Sequence, residues 1–242
     1  MSVVYEAVNE FFSRSEALLG SEAMRRLAEA RVLVVGVGGV GSWCAEALVR
    51  TGLGHITLVD DDVVAESNVN RQCPATAATV GRAKVEAMAE RLRAINPDCD
   101  ITALCERYPC SPFPVPCSLV IDAIDSVDCK AELILGATEA GVPIVSSMGA
   151  ALRLDPTKVK VTRFEKVEGD GLARALRLRF KKSGRFPAAK FSCVWSAEVA
   201  VGGAPRTSCP TEGKGSIMPV TATFGMCLAS EAIKILTKGE TK

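Results

Sequence analysis

One glycine-rich stretch constrains the fold of this chain more than any other feature. The apolar run Arg31–Val35 leads directly into Gly36-Val-Gly-Gly-Val-Gly-Ser42, and a segment with helical spacing follows from Val40 to Arg50. A strand, a glycine loop and a helix in this order form the setting in which amides at a helix N-terminus bind phosphate. The pattern therefore predicts a nucleotide-binding loop. Its predicted contacts are Gly36, Gly38, Gly39, Gly41 and Ser42.

Short apolar strands alternate with helices through the first 150 residues. Strands are predicted at 56–59, 100–104, 119–123 and 144–147, and helices at 81–95 and 127–140. Because βαβ crossovers are right-handed and place helices on both faces of a sheet, this order predicts an α/β fold. We expect a Rossmann-like, mostly parallel sheet with helices on both faces.

The chain divides into three parts that we expect to form a single domain. A helical arm occupies residues 1–30, a Rossmann-like nucleotide-binding core occupies 31–150, and a C-terminal extension that completes the sheet occupies 151–242. The arm is predicted to be helical from Val3 to Glu29 with an interruption at Ser13-Arg14-Ser15. The extension is predicted to hold strands at 159–163 and 193–196, a basic helix at 172–182, a loop at 202–216 and a closing helix from Pro219 to Leu236.

Acidic and basic side chains follow the predicted strands. Asp60 ends the second strand, where a carboxylate can accept hydrogen bonds from ribose hydroxyls. Asp122 and Asp125 close the fourth strand, where a carboxylate can hold Mg²⁺ directly or through water. The glycine loop and Asp60 alone favour a nicotinamide-dependent oxidoreductase. Arg71 and Lys84 instead favour a triphosphate, because displacement at its α-phosphate builds negative charge that cations stabilise.

Five segments resemble the E1-like adenylating superfamily. They are Gly36–Ser42, Leu58–Asp62, Ser67–Gln72, Gly81–Lys84 and Asp122–Ser126. A closer resemblance, to the branch of tRNA threonylcarbamoyladenosine dehydratases, covers essentially the whole chain. It rests on Phe12–Gly20, Arg91–Pro97, Ile121–Ser126 and Val220–Gly225. The resemblance implies an ATP-dependent enzyme that adenylates the threonyl carboxylate of threonylcarbamoyladenosine at position 37 of tRNA and cyclises it.

The resemblance also implies roles for the matching positions. Gly39 and Gly41 contact phosphate, and Asp60 binds the ribose of ATP. Asp125 holds Mg²⁺ and is the one implied metal ligand. The implied catalytic residues are Arg71, Lys84, Asp125 and Arg14, the last reaching the ATP site of a neighbouring subunit in a homodimer. The other implied cofactor contacts are Asp62, Asn68, Asn70, Gln72, Asp122 and Ser126. A monovalent cation (Na⁺ or K⁺) and a sulfur-transfer partner of the cysteine desulfurase type are left open.

A cationic stretch in the extension is a candidate tRNA-binding surface. Its basic members are Arg174, Arg177, Arg179, Lys181, Lys182, Arg185 and Lys190. Phe180 and Phe186 lie between them. Cations neutralise phosphates and aromatic rings stack on unpaired bases, as tRNA binding requires. The alternative is an ordinary solvated helix face.

Net charge, apolar runs and cysteine spacing limit the possible locations and functions of the protein. The formal net charge of +1 gives no global attraction to nucleic acid or to a membrane. We expect a cytoplasmic protein without a membrane span, because no apolar run reaches the roughly 20 residues that cross a bilayer. None of the ten cysteines forms a C-x-x-C pair, which disfavours a zinc site. That absence counts against the main alternative, an activator of a ubiquitin-like sulfur carrier. A non-catalytic tRNA-binding scaffold remains a further alternative.

Overall fold

A seven-stranded sheet forms the centre of the computed structural model, which describes residues 10–109, 116–199 and 215–238. The strands are β1 (Arg31–Val35), β2 (His55–Val59), β3 (Asp100–Leu104), β4 (Leu119–Asp122), β5 (Ile144–Ser147), β6 (Val159–Arg163) and β7 (Ser192–Ser196). Their order is β3-β2-β1-β4-β5-β7-β6. All neighbouring pairs are parallel except β6 with β7. The predicted Rossmann-like, mostly parallel α/β sheet is confirmed.

Helices cover both faces of this sheet. The α-helices in the described ranges are α1 (Ser13–Leu19), α2 (Ser21–Glu29), α3 (Gly41–Thr51), α4 (Lys84–Ile95), α5 (Val127–Glu139), α6 (Gly171–Ser183) and α7 (Met218–Thr237). Short 3₁₀ segments occur at Glu10–Phe12, Glu66–Asn68, Pro156–Lys158 and Phe164–Lys166. One apolar core lies between the sheet and α3, α4 and α7, and a second lies between the sheet and α5 and α6.

Strand β1 shows why both faces must be covered. Val32 and Val34 belong to the core beneath α3, α4 and α7, whereas Leu33 and Val35 belong to the core beneath α5 and α6. All four side chains are buried. Successive side chains of a strand point to opposite faces, so a continuous apolar run is stable only when both faces are covered.

The N-terminal arm differs from its predicted form. The sequence predicts a break at Ser13-Arg14-Ser15, but α1 begins at Ser13 and the break between α1 and α2 falls at Gly20. Gly20 has a φ of 82°, which glycine adopts readily and which ends a helix. The predicted helical residues 3–9, most of the predicted loop at 202–216, and Cys110 and Cys209 lie outside the described residues.

Helix α4 also begins later than predicted, at Lys84 rather than Gly81. Gly81 has a φ of 87°, and Ala83 forms an isolated antiparallel bridge with Val63. The segment before Lys84 therefore packs as extended chain beside the loop after β2. This arrangement places Lys84 at the first turn of the helix, close to the acidic residues that follow β2.

Helix α7 extends one residue beyond each predicted end, and it is apolar enough to correct the expectation that no segment has the length and composition of a membrane span. Its twenty residues meet the length and composition of a membrane span, and it is the one such helix among residues 10–109, 116–199 and 215–238. Its side chains Val220, Phe224 and Leu228 are fully buried in the first core. The helix therefore packs in the protein interior, against α3 and the sheet.

Substitution of Gly225 tests the close contact between α7 and α3. An added Cβ atom would lie 2.6 Å from the Val40 carbonyl oxygen and 2.8 Å from Trp43 Cβ. Gly225→Ala should therefore separate the helices and lower the free energy of unfolding by about 1–3 kcal/mol, measured by urea denaturation. Gly171→Ala is the control, because nothing lies within 4 Å of its added Cβ. Equal stability of Gly225→Ala and the wild type would contradict this packing.

Candidate active site

The strand order reverses between β1 and β4. From β1 the chain continues to β2 and β3 on one side of the sheet, and then crosses to β4 and β5 on the other. In open α/β sheets such a switch leaves a crevice outside the carboxyl ends of the strands, where ligands bind. The loops after β1, β2 and β4 hold most of the predicted site residues and meet at this crevice.

The glycine loop after β1 packs so tightly that two positions require glycine. A Cβ atom at Gly36, which has a φ of 91°, would lie 2.7 Å from the Ala123 carbonyl oxygen. A Cβ atom at Gly41 would overlap the Gly36 carbonyl oxygen. Ser42 is fully buried, and its hydroxyl donates to the Gly38 carbonyl at 2.6 Å. The predicted phosphate contacts therefore lie together in a preformed loop at the start of α3.

Asp60 joins the loop after β2 to the glycine loop. Its Oδ2 accepts a hydrogen bond from the Val37 amide at 2.6 Å, and its Oδ1 accepts one from the Asp62 amide at 3.0 Å. Burial raises the pKa of the Asp60 carboxyl, although Lys84 and these two amides oppose the effect. The carboxylate is thus held at a fixed position beside the glycine loop.

Lys84 is only 5% exposed and lies among acidic groups. Its Nζ donates to Asp62 Oδ2 at 2.5 Å and lies 3.9 Å from Asp60 Oδ1. Because an isolated ammonium is costly to bury, these two carboxylates are what allow Lys84 to occupy the crevice. The structure therefore brings together Asp60, Asp62 and Lys84, as the sequence analysis expected.

Arg71 lies against the glycine loop. Its Cγ is 3.2 Å from the position that a Cβ on Gly39 would occupy. Its Nη1 donates to the Ser67 carbonyl at 2.8 Å and to Asn70 Oδ1 at 3.0 Å. Asn70 in turn donates from Nδ2 to the Ser216 carbonyl at 3.0 Å. These contacts fix the guanidinium at the crevice and leave some of its N–H donors for a ligand.

Asn68 and Gln72 take up different positions in the same segment. Asn68 is buried, and its Oδ1 accepts a hydrogen bond from the Ala65 amide at 3.1 Å. Its carbonyl oxygen therefore shapes the segment, whereas its amide nitrogen can still donate. Gln72 is also buried, beside Gly38, and its Oε1 has no hydrogen-bond partner in the described structure.

Three side chains of α3 hold the segment that carries Arg71. Trp43 Nε1 donates to the Arg71 carbonyl at 2.9 Å, and Ser42 Oγ accepts from the Cys73 amide at 3.1 Å. The Cys73 thiol donates to Glu46 Oε2 at 2.8 Å. The position of Arg71 therefore depends on α3, the same helix that begins at the glycine loop.

Glu46 carries the negative charge at this contact between α3 and the Arg71 segment. The sequence pattern did not predict its role. Its carboxylate also accepts hydrogen bonds from Arg91 Nε at 2.5 Å and from Arg50 Nε at 2.8 Å. Burial alone would raise the pKa of Glu46, but the hydrogen bonds from Arg91, Cys73 and Arg50 lower it to about 2. Burial and the Glu46 carboxylate raise the pKa of Cys73 to about 12, so the thiol stays protonated at neutral pH.

Asp122, a predicted cofactor contact, is engaged by partners inside the protein. Its side chain is fully buried and forms an ion pair with Lys130 Nζ at 2.7 Å. Ser146 Oγ and the Ile124 amide also donate to it, at 2.6 Å and 3.2 Å. Because its oxygens are engaged inside the protein, Asp122 orders the loop after β4 and does not face the crevice.

Asp125, in contrast, is exposed beside the crevice. The preceding Ala123 donates its amide to the Val35 carbonyl at 2.9 Å and packs against Gly36. Ser126 follows as the N-cap residue of α5. The loop after β4 is thus fastened to the glycine loop, and the exposed Asp125 lies two residues after this contact.

A second set of carboxylates also meets the spacing of a metal site. Oxygen atoms of Asp60, Asp61 and Asp62 lie within 4.8 Å of one another, the one such group in the described residues. Lys84 already pairs with Asp62, however, and a nearby ammonium disfavours a second cation. The paired Lys84 therefore counts against a metal ion in this acidic group.

Arg14 lies at the far end of the molecule from the crevice. Its neighbour Phe12 packs at the C-terminal end of α3, where a Cβ on Gly52 would be 3.5 Å from the ring. Helix α3 begins at the glycine loop and has eleven residues, so it is about 16 Å long. The exposed Arg14, two residues after Phe12, therefore follows a residue that packs at the end of α3 opposite the glycine loop.

The seven predicted tRNA-binding cations fall into two groups. Arg177 donates to the carbonyls of Phe164 and Val167 at 2.8 and 2.7 Å and lies over the Phe164 ring. The other internally paired cations are Arg179 and Arg185, which form ion pairs with Asp128, Glu132 and Glu139. Four remain exposed without an ion pair in the described structure: Arg174, Lys181, Lys182 and Lys190.

The aromatic residues of this stretch also need a correction. Phe180 is buried and packs edge-to-face on Phe164 at a centroid distance of 6.3 Å, so it is not available to stack on a base. Phe186 is exposed. Phe180 is therefore no part of the candidate tRNA surface, and three of the seven arginines and lysines also bind partners within the protein.

The sheet, its switch point and the glycine loop define a nucleotide-binding α/β protein, and the chain belongs to the ThiF family, whose model matches residues 12–242. It is similar to the tRNA threonylcarbamoyladenosine dehydratase of Escherichia coli (strain K12), at 40% identity over 262 residues that cover 96% of this chain and 95% of that protein. The resemblance to the dehydratase branch of the E1-like superfamily is thereby confirmed.

Two crystal structures of the E. coli dehydratase are similar to this one over nearly their whole length. The complex with AMP gives a TM-score of 0.87 at 41% identity and covers 98% of this chain and 97% of that chain. The complex with ATP gives a TM-score of 0.83 at 39% identity and covers 97% of each chain. The shared fold and sequence thus extend well beyond the glycine loop.

Glu46→Gln tests the contact between α3 and the Arg71 segment. The folded-state pKa of Glu46, about 2, lies below its ordinary value of 4.5, so its ionised form stabilises the fold above that value. The variant should lower the free energy of unfolding at pH 7 by about 2–3 kcal/mol. That difference should shrink as the pH falls from about 4.5 towards 2.

Urea denaturation of the wild type and Glu46→Gln between pH 7 and pH 3 measures this effect. Glu90→Gln is the matched control, because Glu90 forms an exposed ion pair with Arg82 and contributes little. A stability difference for Glu46→Gln that does not change with pH would contradict the assignment of a charged Glu46.

Proposed function

We propose that this chain is an ATP-dependent tRNA threonylcarbamoyladenosine dehydratase. It adenylates the threonyl carboxylate of threonylcarbamoyladenosine at position 37 of tRNA and cyclises the product, releasing pyrophosphate and AMP. The observation that carries the proposal is the preformed crevice. There Asp60 and Arg71 contact the glycine loop, Lys84 pairs with Asp62 after β2, and Ala123, two residues before Asp125, packs on Gly36. The near full-length similarity to the E. coli dehydratase, whose structures contain ATP or AMP, supports it.

The crevice suits a nucleotide in one orientation. Amides at the start of α3 would bind phosphate oxygens, because the first amides of a helix lack internal partners. Asp60 would accept from the ribose hydroxyls. Each of its oxygens already accepts one amide hydrogen bond, from Val37 or Asp62, and has capacity for another.

Arg71 and Lys84 would stabilise the triphosphate as it is cleaved. Attack at the α-phosphate builds negative charge on its oxygens and on the departing pyrophosphate. Lys84 reaches the crevice as a buried ammonium, and a phosphate oxygen would compete with Asp62 for it. Removing a single group that stabilises such charge typically slows catalysis by about 10²–10³-fold.

Asp125 is the residue proposed to hold Mg²⁺. Its exposed carboxylate offers the oxygen ligand that this hard cation prefers. Bound there, Mg²⁺ would neutralise charge on the phosphate oxygens. Asp122 serves this site indirectly, because its ion pair with Lys130 fixes the loop from which Asp125 projects.

Chemistry after adenylation needs no nucleophile from the protein. An oxygen of the threonyl carboxylate attacks the α-phosphorus and pyrophosphate leaves. The carbamoyl nitrogen of the same side chain then attacks the acyl carbon and loses its proton, and AMP departs. Because this nucleophile is intramolecular, its effective concentration is high. The cysteines fit this scheme: Cys193 is fully buried and burial raises its pKa, so it is not poised for attack.

The active protein is proposed to be a homodimer in which Arg14 acts in the crevice of its partner. The support is the location of Arg14, which is exposed and at the opposite end from its own crevice. A cytoplasmic location is proposed because the eight described cysteines are free thiols, as is usual in a reducing compartment. No contact among the described residues argues for a sulfur-transfer partner.

The rival functions make different predictions. An activator of a ubiquitin-like carrier would adenylate a carrier's C-terminal glycine and ignore tRNA. A nicotinamide-dependent oxidoreductase would bind NAD(H) tightly without ATP. A tRNA-binding scaffold would tolerate loss of Arg71 and Lys84. The absence of any C-x-x-C pair in the sequence continues to disfavour the first of these.

The mass of the modified nucleoside tests the proposed reaction. With ATP, Mg²⁺ and threonylcarbamoyl-modified tRNA, the wild type should yield a nucleoside lighter by one water molecule. Asp125→Ala and Lys84→Ala should each slow this conversion by at least about 100-fold. Asp98→Asn, in an exposed turn after α4, is the control and should keep full activity. An unchanged nucleoside mass with folded wild-type protein would reject the proposal.

The exposed cations of α6 are proposed to contact tRNA phosphates. Lys181→Glu/Lys182→Glu should lower tRNA affinity at least about tenfold and reduce the salt dependence of binding by about two counterions. Lys234→Glu/Lys238→Glu applies the same charge change at the C-terminal end of α7, far from the crevice, and should bind tRNA normally. Filter binding at several salt concentrations measures both. Equal affinities of the two double variants would exclude α6 from the interface.

A further inference from the structure

Arg153 is a buried cation in which two of the three donor nitrogens lack acceptors. The residue is 4% exposed, and its Nε and Nη1 atoms are enclosed without a hydrogen-bond partner in the described structure. The Nη2 atom lies 3.9 Å from Asp170 Oδ2, which is too far for a hydrogen bond. An unsatisfied buried donor costs about 1–3 kcal/mol, and more when it is charged. Arg153 therefore lowers the stability of the fold.

Asp170 cannot relieve this cost by moving towards Arg153. Its Oδ1 accepts from the Ala173 amide at 2.9 Å as the N-cap of α6. Its Oδ2 accepts from the Gly149 amide at 3.2 Å. A shift towards the guanidinium would break the helix cap. Asp170 thus offsets the charge of Arg153 in part, but it leaves the Nε and Nη1 donors of Arg153 unbound.

The loop that carries Arg153 begins at the same edge of the sheet as the crevice. It follows β5, which pairs with β4, so it leaves the sheet at the same carboxyl edge. Residues 215 and 216 link this loop to the Arg71 segment. Leu152 donates its amide to the Gly215 carbonyl at 2.9 Å, and Asn70 donates its side-chain amide to the Ser216 carbonyl.

The loop that carries Arg153 is strained. Leu152 has a φ of 60°, the one positive φ of a non-glycine residue in the described chain. This conformation costs about 1–2 kcal/mol for a residue with a side chain, and such strain clusters at ligand-binding sites. The loop therefore has two energetic costs, the backbone strain at Leu152 and the unpaired donors of Arg153.

We propose that Arg153 binds the carboxylate of the acid that the enzyme adenylates. This inference rests on the proposed function, which brings two anions together: Arg71 and Lys84 serve the triphosphate, and the carboxylate needs a cation of its own. A guanidinium can donate two parallel hydrogen bonds to a carboxylate, which fixes both its position and its orientation. The fold is then less stable because these donors are kept unpaired for the substrate.

Arg153→Met separates this role from a structural one. Methionine keeps much of the side-chain volume and removes the unpartnered charge, while Asp170 retains its two amide donors. We expect a free energy of unfolding that equals or exceeds that of the wild type, and an unchanged Kd for ATP. The KM for modified tRNA should rise at least about tenfold. A KM equal to that of the wild type would overturn the proposal.

Arg153→Lys is the second variant, for use if Arg153→Met does not fold. It keeps the charge but loses the paired donors, so its KM should lie between those of the wild type and Arg153→Met. A wild-type KM in Arg153→Lys together with an unfolded Arg153→Met would mean that Arg153 supports the fold only. Each pair of results therefore decides for or against a substrate contact.

Unmodified tRNA distinguishes the carboxylate from the phosphates of the same molecule. The wild type should bind threonylcarbamoyl-modified tRNA more tightly than tRNA with plain adenosine at position 37. Arg153→Met should lose that preference and bind the unmodified tRNA as the wild type does. An equal loss of affinity for both tRNAs would assign Arg153 to phosphate and refute our assignment. Failure of the proposed function would appear separately, as an absence of cyclisation by the wild type.

Discussion

The close packing of two backbone loops is the constraint on which the site depends. Gly36 and Gly41 have no side chains, so the turn after β1 can lie against Ala123 in the loop after β4. That contact brings α3, Asp60 and Asp125 to one crevice. A Cβ atom at either glycine would separate the loops and misalign all three. The glycines therefore serve the geometry of the whole site as well as access to phosphate.

The charged groups at the crevice are positioned by partners that lie behind them. Glu46 holds the Arg71 segment through Cys73, and Lys130 neutralises Asp122 beneath the loop that carries Asp125. These partners are buried, where electrostatic interactions are strong and a lost partner is costly. Arg153 differs from them, because two of its own donor nitrogens are unbound. In our account the protein positions its nucleotide-binding groups in advance and completes the acid-binding site with substrate.

Local patterns predicted the sheet, most helix bounds and the proximity of Asp60, Asp62 and Lys84, because glycine loops and strand ends depend on nearby residues. Long-range pairings could not be predicted in this way. Asp122 can be buried because Lys130 neutralises its charge and Ser146 donates a hydrogen bond to it, and Arg179 and Arg185 are engaged by acids of α5. One pattern could have helped: Lys130 shares a helix face with apolar residues three and four positions on, which indicates a buried partner.

Isotope transfer tests the central claim, that the carboxylate is activated as an acyl-adenylate in this crevice. The wild-type protein would be given ATP, Mg²⁺ and tRNA whose threonyl carboxylate carries oxygen-18, and the released AMP would be analysed by mass spectrometry. Our account predicts one labelled oxygen in the AMP phosphate and none in pyrophosphate, because AMP departs with a carboxylate oxygen. Cyclic product accompanied by unlabelled AMP, or by ADP and phosphate, would contradict it.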